Sequence, residues 1–78
     1  MLLSYIQNAM RLAKYEILDD AGYCGEIPGF EGVWAQASSL EVCREELQRA
    51  LEDWLVLGLH MGHDLPVVAG INLLPAGA

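Results

Sequence analysis

Positive charge is scarce in this chain. Four of its 78 residues are Lys or Arg, against eleven Asp or Glu, so the net charge is −7 and the pI lies near 4.4. Affinity for phosphate backbones comes largely from Lys and Arg displacing counterions, so direct nucleic-acid binding by the domain alone is not expected. An anionic membrane surface is disfavoured for the same reason. The charge instead favours a basic protein partner, because opposite fields speed encounter. Cysteine is scarce too. Cys24 and Cys43 cannot staple a secreted framework, and neither belongs to a C-x-x-C pair of the kind that ligates zinc. His60 and His63 stand three apart, as ligands can, but read as polar residues at a helix end. No metal is expected.

Long apolar runs are missing as well. None approaches the ~20 residues that span a bilayer; the longest, Trp54 to Leu59, stops at His60. No basic segment leads into an apolar one at the N-terminus, so no signal peptide is read. The expectation is a soluble chain in the reducing cytoplasm. Gly22, Gly25, Gly29 and Gly32 do not make a phosphate loop, since strand residues separate them and no Lys-Ser/Thr follows. They read as turn residues, with Gly25 a position of close packing. No cofactor is expected.

What the chain has is apolar content: 54% hydrophobic residues and a mean hydropathy of +0.28. A chain of this length makes one domain, 1–78, which buries only about 60% of its unfolded surface. It therefore holds more apolar surface than it can hide alone, and a second subunit is the expected cover.

The periodicity divides the chain. Leu3, Ile6, Met10 and Ala13 recur at helical spacing and predict a helix over 2–13. At 14–19 the period becomes two, with Tyr15 and Ile17 on one face and Glu16 on the other. Asp19-Asp20-Ala21-Gly22 is a turn. A second strand covers 23–27, Pro28 to Gly32 turn the chain again, and a third strand covers 33–37. Connections this short imply an antiparallel meander. Ser38 and Glu41 form a capping box. A helix from about 40 to His60 or Met61 follows, with Leu40, Cys43, Leu47, Ala50, Leu51, Trp54 and Leu55 as its apolar stripe. Its wet side holds Glu41, Glu45, Gln48, Arg49, Glu52 and Asp53, with Glu45 and Arg49 as an i,i+4 pair. Gly62 is the expected C-cap, and Pro66 blocks continuation. Residues 67–73 read as a last strand at a sheet edge, and 74–78 as a short tail.

The expected fold is thus α+β: an N-terminal helix, then β-β-β-α-β, a two-layer sandwich with the meander packed on one long amphipathic helix. The sheet face away from that helix would carry Cys24, Glu26, Trp34 and Gln36. A solvated Trp is unusual there, so either the N-terminal helix or a second subunit is expected to cover it. Cys24, Trp34 and Gln36 are accordingly the candidate oligomer interface, most simply of a two-fold dimer.

Lys14-Tyr15-Glu16-Ile17-Leu18, Gly22-Tyr23-Cys24-Gly25-Glu26-Ile27-Pro28-Gly29-Phe30, Gly32-Val33-Trp34-Ala35, the Ser39-Leu40-Glu41 helix start and Leu51-Glu52-Asp53-Trp54-Leu55, in this order, resemble the HicB-like domain, the antitoxin side of HicA–HicB toxin–antitoxin modules. The resemblance runs from about 13 to 73. It implies a truncated RNase H-like fold, homo-oligomers, and a small basic RNA-cleaving toxin as partner. Longer members add a DNA-binding segment; no basic helix follows here, so that role is not carried over. The acidic residues Glu41, Glu45, Glu52 and Asp53 are the candidate partner-binding face, occupying the toxin's RNA-binding surface.

An RNase H-like fold raises the question of catalysis. Glu16, Asp19, Asp20 and Glu26 are the carboxylates a two-metal nuclease would need to converge, but the two aspartates sit where turns favour them and no basic cluster would hold RNA. Cys43 lies on the apolar stripe, Cys24 has no assignable base, and protonated His60 and His63 suit a helix C-terminus. A non-catalytic interaction domain is the expectation. A stand-alone oligomeric regulator without a toxin, and less so a metal-dependent nuclease, are the alternatives.

Overall fold

The computed structural model describes residues 2–19 and 22–71. Two helices and a three-stranded antiparallel sheet follow in the order α1 (Leu2–Arg11), β1 (Lys14–Ile17), β2 (Tyr23–Glu26), β3 (Trp34–Ala37) and α2 (Leu40–Met61). The α+β class and the meander are as the sequence reads, with shorter strands.

Helix α1 closes with Leu12 and Ala13 amides on the Ala9 and Met10 carbonyls, an i→i+3 tightening of its last turn. Its inner face is shifted from the expected one. Of the expected residues Met10 is buried and Ile6 and Ala13 pack against the core, whereas Leu3 is exposed, and Tyr5 and Ala9 are buried beside them. Spacings of three and four fit two adjacent stripes on so short a helix. The stripe with Tyr5 is the inner one because its hydroxyl donates to the Pro66 carbonyl while its ring packs.

Sheet order is β1-β2-β3. Between β2 and β3 the chain makes two successive turns, closed by Phe30 N–H on the Ile27 carbonyl and Val33 N–H on the Phe30 carbonyl. Gly29 and Gly32 each stand third in their turn with φ of 87° and 85°, which side chains disfavour there. The turns tuck Phe30 inward, edge-on to both Tyr5 of α1 and Trp54 of α2, with ring centroids at 6.3 and 5.2 Å.

Helix α2 lies across β2 and β3, and α1 packs on α2. Cys43, Leu47, Leu51 and Leu55 are buried as the stripe requires, and Gly58 joins them. Leu40, in the first turn, is exposed instead. The N-cap is Ser39, whose hydroxyl accepts from the Val42 amide at 3.2 Å; the expected cap, Ser38, lies one residue too early. At the other end Gly62 adopts the left-handed conformation, with its amide on the Leu59 carbonyl and the His63 amide on the Gly58 carbonyl, a Schellman closure.

The expected last strand is not formed within the described residues. Val68 and Ile71 bond each other in both directions around Ala69-Gly70, whose φ values of 49° and 77° make the tight hairpin turn that Gly permits. The segment instead packs as a strap: Leu65 and Val68 are buried, and Leu65 lies over Gly58. Residues 72 and 73 of that reading lie outside the described residues.

Candidate functional site

Strand register assembles the open face of the sheet. Lys14 pairs with Glu26 and Glu26 with Trp34; Glu16 pairs with Cys24 and Cys24 with Gln36. Side chains alternate across a strand, so these six share one face. The opposite face carries Tyr15, Gly25 and Ala35, against α2. The four residues expected on the open side are therefore together, joined by Lys14 and Glu16 from β1. Cys24 is half-buried and the other five are exposed. Trp34 is 60% exposed. With α1 packed on α2, the N-terminal helix is not its cover.

The carboxylates that the nuclease alternative would need are not gathered at one point among the described residues. Glu26 faces Lys14 and Glu16 faces Cys24, so the two carboxylates are diagonal, with a cation beside one of them. Asp19 is exposed beyond β1, and Asp20 lies outside the described residues. No three His, Cys, Asp or Glu among the described residues are grouped to hold a metal. His60 and His63 are exposed at the end of α2. Cys43 is fully buried, with Sγ 3.7 Å from the Ala35 carbonyl. Burial, and to a lesser degree Cys24, pushes its thiol pKa up, which disfavours a nucleophilic thiolate.

Helix α2 carries the charged surface. At 100° per residue, Glu41, Glu45 and Glu52 fall within ~40° of one another on its outer side. Glu45 and Glu52 line a shallow surface with Gln48 and Arg49, and Gln48 Nε2 donates to Glu52 Oε2 at 3.4 Å. Asp53 is placed elsewhere. With Glu46 and Arg49 it lines a second shallow concavity, on the β3 flank, together with Trp34, Gln36 and Ala50. That association of Trp34 with Glu46 and Arg49 escapes sequence reasoning, because it joins two elements whose relative placement no local pattern fixes. An apolar groove between the helices, lined by Leu2, Leu3, Ile6, Leu55, Val56 and Leu59, is likewise absent from the sequence reading. Its only local signal is the run from Leu55 to Leu59.

The domain is a small α+β fold with one bare sheet face and a carboxylate-lined helix, and no described helix is long and apolar enough to cross a membrane. Within it, residues 4–66 match the model of the UPF0150-like family, and the chain belongs to that family. The crystal structure of TTHA0281 from Thermus thermophilus is similar, with 43% identity, a TM-score of 0.87, and coverage of 95% of this chain and 94% of that one. No curated protein matches significantly.

Proposed function

We propose that the chain is a non-catalytic protein-interaction domain of the HicB antitoxin kind. It neutralises a small basic RNA-cleaving toxin by binding it, acts in the cytoplasm, and self-associates. The observation that carries the reading is the alignment of Glu41, Glu45 and Glu52 along one side of α2, the first two exposed and Glu52 half-buried, in a chain of net charge −7. Such a surface competes with RNA for a basic site and steers its partner by charge. Membership of the UPF0150-like family supports it, as does the order of motifs along the chain.

The test is inhibition of RNA cleavage by a HicA-like toxin encoded beside the gene, paired with calorimetry. The wild type should block cleavage stoichiometrically, with affinity falling as salt rises. Glu41→Lys/Glu45→Lys/Glu52→Lys should bind at least ~10-fold more weakly, about 1.4 kcal/mol. A wild type that leaves cleavage untouched would favour the stand-alone regulator. Ribonuclease activity that co-purifies with the chain and disappears in Glu16→Ala or Glu26→Ala would make it an enzyme.

A further inference from the structure

Among the described residues no strand pairs with either outer edge of the sheet, and the two edges are unlike. The β1 edge, Lys14-Tyr15-Glu16-Ile17, carries two charges; the β3 edge, Trp34-Ala35-Gln36-Ala37, carries neither charge nor proline. Charged residues on an edge protect it from pairing with other chains, and an edge without them invites it. We propose that β3 pairs antiparallel with β3 of a second copy of this chain, across a two-fold axis, joining two three-stranded sheets into one of six.

The surface beside the edge selects the occupant. A two-fold interface is self-complementary: the same patch must supply both partners of every contact. The concavity flanking β3 meets that condition. It holds one exposed aromatic, Trp34, and one cation, Arg49, with Glu46 and Asp53 about one helical turn to either side. A second copy brings its own Arg49 to these carboxylates and receives theirs in return. A strongly basic partner would meet Arg49 here, which stands between this concavity and the Glu41–Glu45–Glu52 row.

Four residues supply only a few backbone hydrogen bonds, so the joint also needs a side-chain anchor. Trp34 is placed to be one: large, mostly exposed and at the start of the strand. Aromatic anchors dominate interface energetics. The inference deepens the self-association proposed above and rests on it. It does not depend on the toxin.

Light scattering coupled to size exclusion, at tens of micromolar, should give the mass of two chains. Gln36→Lys and Arg49→Glu should each raise the concentration of half-dissociation at least ~10-fold, while Val56→Lys, in the groove between the helices, should not. Mixing Arg49→Glu with Glu46→Arg/Asp53→Arg should restore dimers. Backbone pairing is read separately by amide exchange in the wild type, where protection at 34–37 should rise with protein concentration. A mass of one chain would overturn both self-association and this mode. A dimer indifferent to Gln36→Lys and Arg49→Glu, one broken by Val56→Lys, or concentration-independent exchange at 34–37 would overturn the mode alone.

Discussion

Gly25 sits against the Tyr15 ring and Cys43 of α2, and Gly25→Ala probes that contact. A Cβ built there would stand 2.9 Å from Cδ1 and Cε1 of Tyr15 and 3.3 Å from Sγ of Cys43. Ordinary contacts between carbon atoms lie near 3.5–4.0 Å, so the ring must retreat by roughly 0.6–1 Å. Tyr15 is half-buried, and Cys43 is held inside α2 with no exposed surface. Overpacking of this kind costs about 1–3 kcal/mol. Alanine recovers about 0.5–1 kcal/mol of that, because glycine in a strand loses more backbone entropy on folding. The net expectation is destabilisation by about 1 kcal/mol, hence a drop in Tm of about 4–8 °C for a domain of this size. Thermal unfolding by circular dichroism measures it. The double variant Gly25→Ala/Tyr15→Leu isolates the cause: with the ring gone, the alanine should cost much less than in the wild type, and the two changes should be non-additive. An unchanged or higher Tm for Gly25→Ala, or strict additivity, would refute the argument.

Leu51, with no exposed surface at the centre of α2, should lose about 2–5 kcal/mol on change to Ala, seen as a lower urea midpoint. Ser39→Ala should cost about 1 kcal/mol, since it removes the cap on the Val42 amide, whereas Ser38→Ala should stay within about 0.5 kcal/mol. A thiol reagent applied to the native protein should label Cys24 quickly and Cys43 only on unfolding, as their burial and the raised Cys43 pKa require. Burial also raises the phenol pKa of Tyr5 and Tyr15, opposed at Tyr15 by Arg44. A raised folded-state pKa favours the protonated phenol, so stability present below about pH 10 should fall as pH climbs beyond it. Tyr5→Phe should flatten that fall in denaturation series across pH 8–11.

The legible parts of this fold are those with a strong local period or a turn residue. The long stripe from Cys43 to Leu55 has enough repeats to fix both the length of α2 and its inner face, and Gly62 marks its end by backbone conformation alone. The faces of β1 to β3 follow from period two, and the register then places Cys24, Glu26, Trp34 and Gln36 together. The errors lie where two readings are locally equal. Ser38 and Ser39 are equally good caps, and geometry selects the second. In α1, too few turns exist to separate the Leu3 stripe from the Tyr5 stripe, and a hydroxyl bonded 61 residues away decides. Val67-Val68-Ala69-Gly70-Ile71 has strand composition, but Ala69-Gly70 accept positive φ and the chain folds back before a strand can run. The candidate site is partly legible for the same reason: its strand residues obey a local rule, whereas the concavity that Trp34 shares with Arg49 depends on how a helix is laid over a sheet.

The two surfaces proposed here divide α2 between them. At 100° per residue, Glu46 and Asp53 project roughly 100° away from the centre of the Glu41–Glu45–Glu52 row. The buried stripe from Cys43 to Leu55 lies on neither side. A dimer joined at β3 would cover the first of these surfaces and leave the second open on both copies. The resulting assembly presents two acidic rows, one per chain. Linked copies gain avidity only where the geometry lets both be engaged together, so a monomeric toxin should bind each row independently. The expected stoichiometry is one toxin per chain, with no dependence of toxin affinity on the concentration of the domain. Calorimetric titration at two domain concentrations, one above and one below the dimer's half-dissociation point, measures this. Toxin affinity that collapses on dimerisation would show that the partner and the second copy compete for the same side of α2, and the division of the helix would be wrong.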